Sequence, residues 1–208
     1  AVYNYNTPYL KNVFNYDWFI YTVTNNEIYK IKESTWEIFF VTSTSDIIRA
    51  ISFDKTNWIL YIAYDYYITS YDLNTWVFTE ITSSYFAWDW VWDIANAKFN
   101  LIKSIALSND KKTLFVADSW NHKVKKINID ITSSDYKIVS LVIWSWNTDA
   151  TKDSLTPSTG SGFNIFSPNS LYVLNNSNDL IIASNSAANA KIYRVNTTTN
   201  NWYLFRNW

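Results

Sequence analysis

Short apolar runs alternate with polar turns along the 208-residue chain, and one four-strand order recurs four times. The clearest runs are FIYTV (19–23), ILYIA (59–63), TLFVA (113–117) and DLIIA (179–183). Each has the length of a strand and is rich in β-branched and aromatic residues. Their last residues, Val23, Ala63, Ala117 and Ala183, are spaced by 40, 54 and 66 positions. A second set follows after a few polar residues: EIYKIKE (27–33), YITSYDL (67–73), KVKKINI (123–129) and AKIYRVN (190–196). A third set comes before: LKNVFNY (10–16), IIRAISF (47–53), LIKSIAL (101–107) and NSLYVLN (169–175). No stretch sustains a 3.6-residue apolar period, so the pattern predicts an all-β chain.

Four short strands per unit at a period of forty or more predict β-propeller blades. The expected blades are residues 10–42, 47–82, 101–143 and 169–205, forming one propeller segment over 1–208. The longer spacings come from insertions at 84–100 and 144–167, rich in Ser, Thr, Asn and Asp, which predict irregular loops at one rim.

Composition narrows the class. Hydrophobic residues make up 48% and charged residues 17%, the balance of a globular chain. The net charge of −1 argues against a surface that grips nucleic acid throughout, leaving room only for a local basic patch. No apolar run is long enough for a membrane span, and no charged-then-apolar leader opens the chain. Starting on Ala1 with no Met, the sequence reads as a mature product or an excerpt. The absence of cysteine excludes disulfides and thiolate metal sites.

Two counts are out of line. Glycine occurs 2 times and tryptophan 12 times, and together they approach the roughly 7% that glycine alone usually supplies. The tryptophans sit where turns call for glycine. Trp18, Trp58 and Trp90 follow Asp17, Asn57 and Asp89, while Trp36, Trp76 and Trp202 end KESTW, LNTW and TTTNNW. Asp-Gly and Asn-Gly are strong hairpin signals because such turns need a positive φ. Asp-Trp and Asn-Trp have no such logic. Some bacterial lineages read UGA as glycine, and another common code reads it as tryptophan. A gene translated with the wrong table gives this composition. The competing reading is an aromatic ladder of Trp88, Trp90 and Trp92, a stacking platform for sugars or bases. That reading leaves the missing glycine unexplained.

LFVADSWNHKVKKI (114–127) resembles the strand–turn–strand signature of the NHL-repeat propeller family, V-A-D-x-G-N-x-R-[IV]. YFAWDWVWDIANAKFNLIKSIALSND (85–110) resembles that family's linker, A-G-D-G-x-G-D-x-A-x-A-x-F-x-x-P. The third blade carries the match over its whole length. Trp88, Trp90, Trp92, Trp120, Trp144 and Trp146 stand where the family has glycine, and Ile102 where it has proline. The resemblance implies a propeller that usually closes with six blades. Four blades then make an open arc, cut from a longer chain or awaiting a partner. Its relatives include protein- and RNA-binding modules, extracellular sensor domains and an amidating lyase.

Candidate chemistry is sparse. His122 is the only histidine and lies in a turn, so a zinc site or Cys-His pair is excluded and a Ser-His-Asp triad is poorly placed. Asp118 with Asn121, and Asp65 and Asn185 in comparable places, read as turn-capping residues. Aligning LKNV, IIRAI, LIKSI and PNSL puts Lys11, Arg49, Lys103 and Asn169 at one position near the channel mouth. Three cations there focus positive potential and attract an anion. The plainer reading is that each side chain reaches water independently. Cations in this ring argue against calcium-dependent propeller chemistry, which needs converging carboxylates.

The expected function is a non-enzymatic binding or scaffold module for a protein or anionic ligand, with no cofactor and an extracytoplasmic or surface location. The alternatives are a hydrolase or lyase with a channel metal, and an RNA-binding NHL domain.

Overall fold

The computed structural model describes residues 11–16, 18–82, 98–144, 165–175, 177, 179–185, 190–198 and 202–207. For 11–14, 16, 144 and 202–207 only the backbone is described. Most of both long insertions, and with them Trp88, Trp90, Trp92 and Trp146, lies outside these residues.

The described residues form sixteen strands and no helix. The first sheet comprises β1 (Lys11–Tyr16), β2 (Phe19–Val23), β3 (Glu27–Lys32) and β4 (Ile38–Ser43). The second comprises β5 (Ala50–Asp54), β6 (Ile59–Ala63), β7 (Ile68–Asp72) and β8 (Val77–Thr82). The third holds β9 (Ile102–Leu107), β10 (Thr113–Asp118), β11 (Lys123–Asn128) and β12 (Val139–Trp144). The fourth holds β13 (Pro168–Val173), β14 (Asp179–Asn185), β15 (Ala190–Asn196) and β16 (Trp202–Asn207). Each sheet is an antiparallel meander in sequence order. The first strands lie side by side: β1 touches β5, β5 touches β9, and β9 touches β13. They form the inner wall of an arc of four blades, and no extended contact joins β13 to β1 among the described residues.

The continuous apolar runs follow from this stacking. In β6, Leu60 and Ile62 pack towards the first blade, whereas Tyr61 and Ala63 pack towards the third. In β10, Leu114 and Val116 face the second blade, and Phe115 and Ala117 face the fourth. A strand alternates its side chains, so a blade covered on both faces must be apolar at every position. The three cores are therefore the three seams between adjacent blades.

Six hairpins at the outer ends of the first and third strands, those of the first three blades, share one backbone feature. Each contains a residue in the left-handed region: Trp18 (φ 68°), Trp36 (58°), Trp58 (58°), Trp76 (64°), Lys111 (64°) and Lys137 (67°). The Asp54 carboxylate accepts the N–H groups of Thr56 and Asn57, and Asp72 accepts those of Asn74 and Thr75. These Asp-led turns bring the chain to its positive-φ residue, the place where glycine costs least. Trp120 departs from expectation: in the β10–β11 turn the positive φ belongs to His122 (55°), two residues later. Histidine is among the non-glycine residues enriched there.

Candidate functional site

The opposite end of the blades carries the starts of the first strands and the hairpins between second and third strands. Arg49 directly precedes Ala50, which lies opposite Ala63. Lys103 and Asn169 directly precede Ser104 and Ser170, which lie opposite Ala117 and Ala183. The registers skip Lys103 and Asn169, making each the extra residue of a β-bulge. Bulges commonly re-aim a side chain at a rim, and both residues are exposed. Lys11 lies opposite Val23, level with Ala50, Ser104 and Ser170, because the bulge of β1 falls at residue 12 instead. The backbone thus brings Arg49, Lys103 and Asn169 into one register and sets Lys11 one place off.

Arg49 is not a bare cation. Its Nε and Nη2 reach the two oxygens of Asp65 at 2.8 and 2.9 Å, a two-pronged ion pair that is partly exposed. The Asp65 carbonyl also accepts the Ile102 N–H at 3.1 Å, which ties the second blade to the start of the third. Asn25 does the same one blade earlier, accepting from Ile48 at 2.6 Å. Asp65 thus meets the charge of Arg49 expected for an incoming anion.

The third blade closes the same place with a buried network. Asp118 is fully buried at the end of β10, with Lys125 Nζ at 2.7 Å. Its carboxylate also accepts the Asn100 N–H at 2.8 Å and the Asn121 side-chain amide at 2.9 Å. Lys125 donates to the Lys98 carbonyl at 2.6 Å and stands 4.8 Å from the centre of the Phe99 ring. Burial pushes the Asp118 carboxyl up, while the Lys125 ammonium and the two amides pull it down. The network pins residues 98–100 as they enter β9. Asp118 is a clamp across the blade as well as a turn cap.

Register separates the turn residues by one place. Asp118 precedes the position shared by Ser119, Asp65 and Asn185, and its own counterparts are Tyr64 and Ser184. The Asn185 N–H donates to the Ser167 carbonyl at 3.2 Å, and its side chain is exposed. His122 is half-buried rather than solvated: its ring stacks on Phe166 at 4.4 Å, and Nδ1 accepts the Ser167 N–H at 3.1 Å. Burial lowers its pKa, in keeping with the neutral ring that this hydrogen bond requires. With Nδ1 committed to the backbone, His122 docks the lead-in to the fourth blade.

The sequence reading missed Lys125 and Phe99. A lysine within KVKKI reads as a solvated strand residue, and only the fold shows it enclosed by Asp118, Lys98 and Phe99. Among the described residues, no group of three or more His, Asp or Glu side chains is placed to hold a metal ion. No described helix is long and apolar enough to cross a membrane.

No family model and no curated protein matches the sequence. The likeness to solved structures is nevertheless extensive. A chain of a nidogen–laminin complex superposes with a TM-score of 0.66 at 13% identity, over 91% of this chain and 61% of that one. The fold is that of a β-propeller. An auxiliary nutrient binding protein from Bacteroides ovatus gives 0.66 at 10% identity, over 94% of this chain and 46% of its own. Hydrazine synthase from Kuenenia stuttgartiensis gives 0.58 at 11%, over 91% and 45%. Such identities establish the architecture alone. The chain spans about half to three-fifths of the length of these propellers.

Proposed function

We propose that this propeller segment is a non-enzymatic binding or scaffold module of NHL type, acting outside the cytoplasm, whose rim at the starts of the first strands receives an acidic protein segment or another anionic ligand. The observation that carries the reading is the shared register of Arg49, Lys103 and Asn169 on three adjacent inner strands, with Lys103 and Asn169 exposed on bulges. The Asp65 carboxylate beside Arg49 makes Lys103 the stronger attractor and Arg49 a gated one. The V-A-D-S-W-N-H-K-V stretch of the third blade supports the family assignment.

The test is titration of a fluorescent Asp/Glu-rich peptide against the protein and its Lys103→Ala and Arg49→Ala variants. Weaker binding in Lys103→Ala, with a larger loss in the double variant, supports the reading. Equal affinities in all forms reject it. An oligoribonucleotide bound more tightly than the peptide, with a steep salt dependence, turns the assignment to RNA. A stoichiometric calcium or zinc ion in protein purified from its native host turns it to a hydrolase or lyase.

We also infer that Trp18, Trp36, Trp58 and Trp76 are glycine in the native host. Each occupies the left-handed region, which costs a non-glycine residue about 1–2 kcal/mol. All four are exposed, with Trp18, Trp36 and Trp76 at 74%, 71% and 66%, so burial does little to offset the strain. Lys111 and Lys137 adopt the same conformation, so the turn accepts a side chain. The support is the concentration of one bulky residue type in it. Peptide masses of the native protein decide the matter: tryptophan at these four sites ends the proposal.

A further inference from the structure

A cleft of about 540 Å³ opens between the second and third blades, at the end opposite Lys103. That volume lies within the range of small-molecule sites. Ile59, Ile81 and Ile129 supply its apolar wall. The polar wall comes from the Asp-led turns, with Asp72 and Asp110 among its residues, and from Asn57 and Lys111.

Tyr61 is the feature that packing does not account for. Its side chain is only 6% exposed, yet it lines the cleft. No described residue hydrogen-bonds its hydroxyl. Among the described residues, the only fully enclosed side-chain oxygen or nitrogen without a partner is Thr22 Oγ1, so the Tyr61 hydroxyl opens onto the cleft and is not sealed in the core. The seam itself does not ask for this hydroxyl. At the equivalent place in β10, two residues before the closing alanine, stands Phe115, buried to 3% with no polar group. Burial, followed by the nearby Asp54 and Tyr136, raises the Tyr61 pKa and keeps the phenol protonated as a donor.

The carboxylates at the mouth are half-committed. Asp72 Oδ1 accepts two backbone N–H groups, and Asp110 Oδ1 accepts the Ser108 hydroxyl and the Lys112 N–H. Asp72 is bonded by the Asn74 and Thr75 side chains as well, whereas Asp110 Oδ2 has no hydrogen-bond partner among the described residues. The cleft thus combines acceptors at Asp72 and Asp110 with donors at Tyr61 and Lys111, while the Asn57 amide already donates to Asp54. The carboxylates do not converge as a metal site requires. The lining holds four aspartates and two lysines. Asp54 is committed to its own turn and Asp130 to Lys112, which leaves Asp72 and Asp110 to repel an anion and Lys111 to oppose a cation. A neutral molecule with several hydroxyl groups matches this mixture, because each hydroxyl both donates and accepts. Its C–H faces match the isoleucine wall.

We propose that the cleft between the second and third blades binds a small neutral polyhydroxylated molecule of saccharide type, with the Tyr61 hydroxyl as its innermost contact and Asp72 and Asp110 as acceptors at the mouth. The site is separate from the anion-binding rim at the other end of the blades and stands independently of it.

The test is calorimetric titration of the full-length protein with glucose, galactose, mannose, maltose and cellobiose, with 1,4-diaminobutane and inorganic phosphate as charged controls. At least one saccharide binds, and neither control competes with it. Tyr61→Phe weakens that saccharide ~5- to 10-fold, the worth of one hydrogen bond, and leaves the thermal midpoint unchanged because the ring still fills the seam. Asp72→Asn, at a half-exposed turn position where the amide oxygen can still cap the turn, weakens it as well. Saccharides that fail to bind overturn the proposal, as does Tyr61→Phe binding with wild-type affinity. Preferential binding of the diamine replaces the proposed ligand class with a cation.

Discussion

The second and third blades close the same hairpin in opposite ways. In the second, Tyr64 and Tyr67 stack face to face at 4.3 Å, and the charged pair Arg49–Asp65 sits partly in solvent. In the third, Asp118 takes the place of Tyr64, and its charge is buried against Lys125. The second strands leading into both hairpins, ILYIA and TLFVA, are comparably apolar, so the contrast lies in the residues that follow them. One blade uses aromatic area and leaves its ion pair at the rim. The other encloses an ion pair that must be fully satisfied. Propeller geometry fixes where the seam lies but not what chemistry fills it. Polar groups are tolerated there only when every partner is present.

The largest effect tests that dependence. Lys125→Ala strands the Asp118 carboxylate in the core and should cost about 3–5 kcal/mol in chemical denaturation. The paired change Lys125→Met with Asp118→Asn should recover most of the loss, since it removes both charges. A single variant that unfolds like wild type would mean that water reaches the pair and that the contrast between the blades is one of shape alone.

The next effect has the opposite sign and also separates the two blades. Trp76 and Trp120 are similarly exposed, at 66% and 63%, but only Trp76 has a positive φ. Trp76→Gly should stabilise the fold by about 1–2 kcal/mol by releasing left-handed strain, which raises the thermal midpoint by a few degrees. Trp120→Gly should give no gain, because glycine there only adds freedom to the unfolded chain. Equal gains at both sites would show that removing indole from solvent, not backbone conformation, is what matters.

Arg49→Ala should cost under about 1 kcal/mol, the ordinary worth of a partly exposed ion pair. Set beside Lys125→Ala, it gives the direct measure of burial.

The smallest effect is a pH slope belonging to the third blade alone. Burial holds the His122 pKa below 6.5, so the unfolded chain binds more protons on acidification than the folded one. Stability should therefore fall as pH drops below about 6.5, and His122→Gln should remove that slope. A separate loss should appear under more acidic conditions. Asp130 is lowered to about 2 by the Thr132 hydroxyl and Lys112, and Asp72 is lowered by the backbone N–H of Asn74. Their contribution is present above the ordinary carboxylate range and disappears as pH falls through the lowered values.

The sequence by itself determined the architecture, because a blade covered on both faces must be apolar at consecutive strand positions, and ILYIA and TLFVA say so without further context. It also marked the turns, since Asp54 and Asp72 begin hairpins through bonds to N–H groups two and three residues on, a purely local interaction. The misfit of Trp18, Trp36, Trp58 and Trp76 was legible for the same reason: left-handed backbone is a property of the turn itself. Trp120 was misread because the turn around it takes its positive φ at His122, and one or two residues decide which position bears the strain. The candidate rim was legible as a set of aligned positions. Its bulges were not, so Lys11 slipped a register and the Arg49–Asp65 pairing went unseen. Only the tertiary structure decided which polar groups are enclosed. Lys125 in KVKKI and Tyr61 in ILYIA differ little in sequence from solvated or purely packing residues. Residues 98 and 99, the lead-in to the same blade and far back along the chain, supply the Lys98 carbonyl and the Phe99 ring to the one, and the turns of the neighbouring third blade supply the cleft to the other. Burial in a seam is a relation between distant segments, and strand periodicity does not encode it.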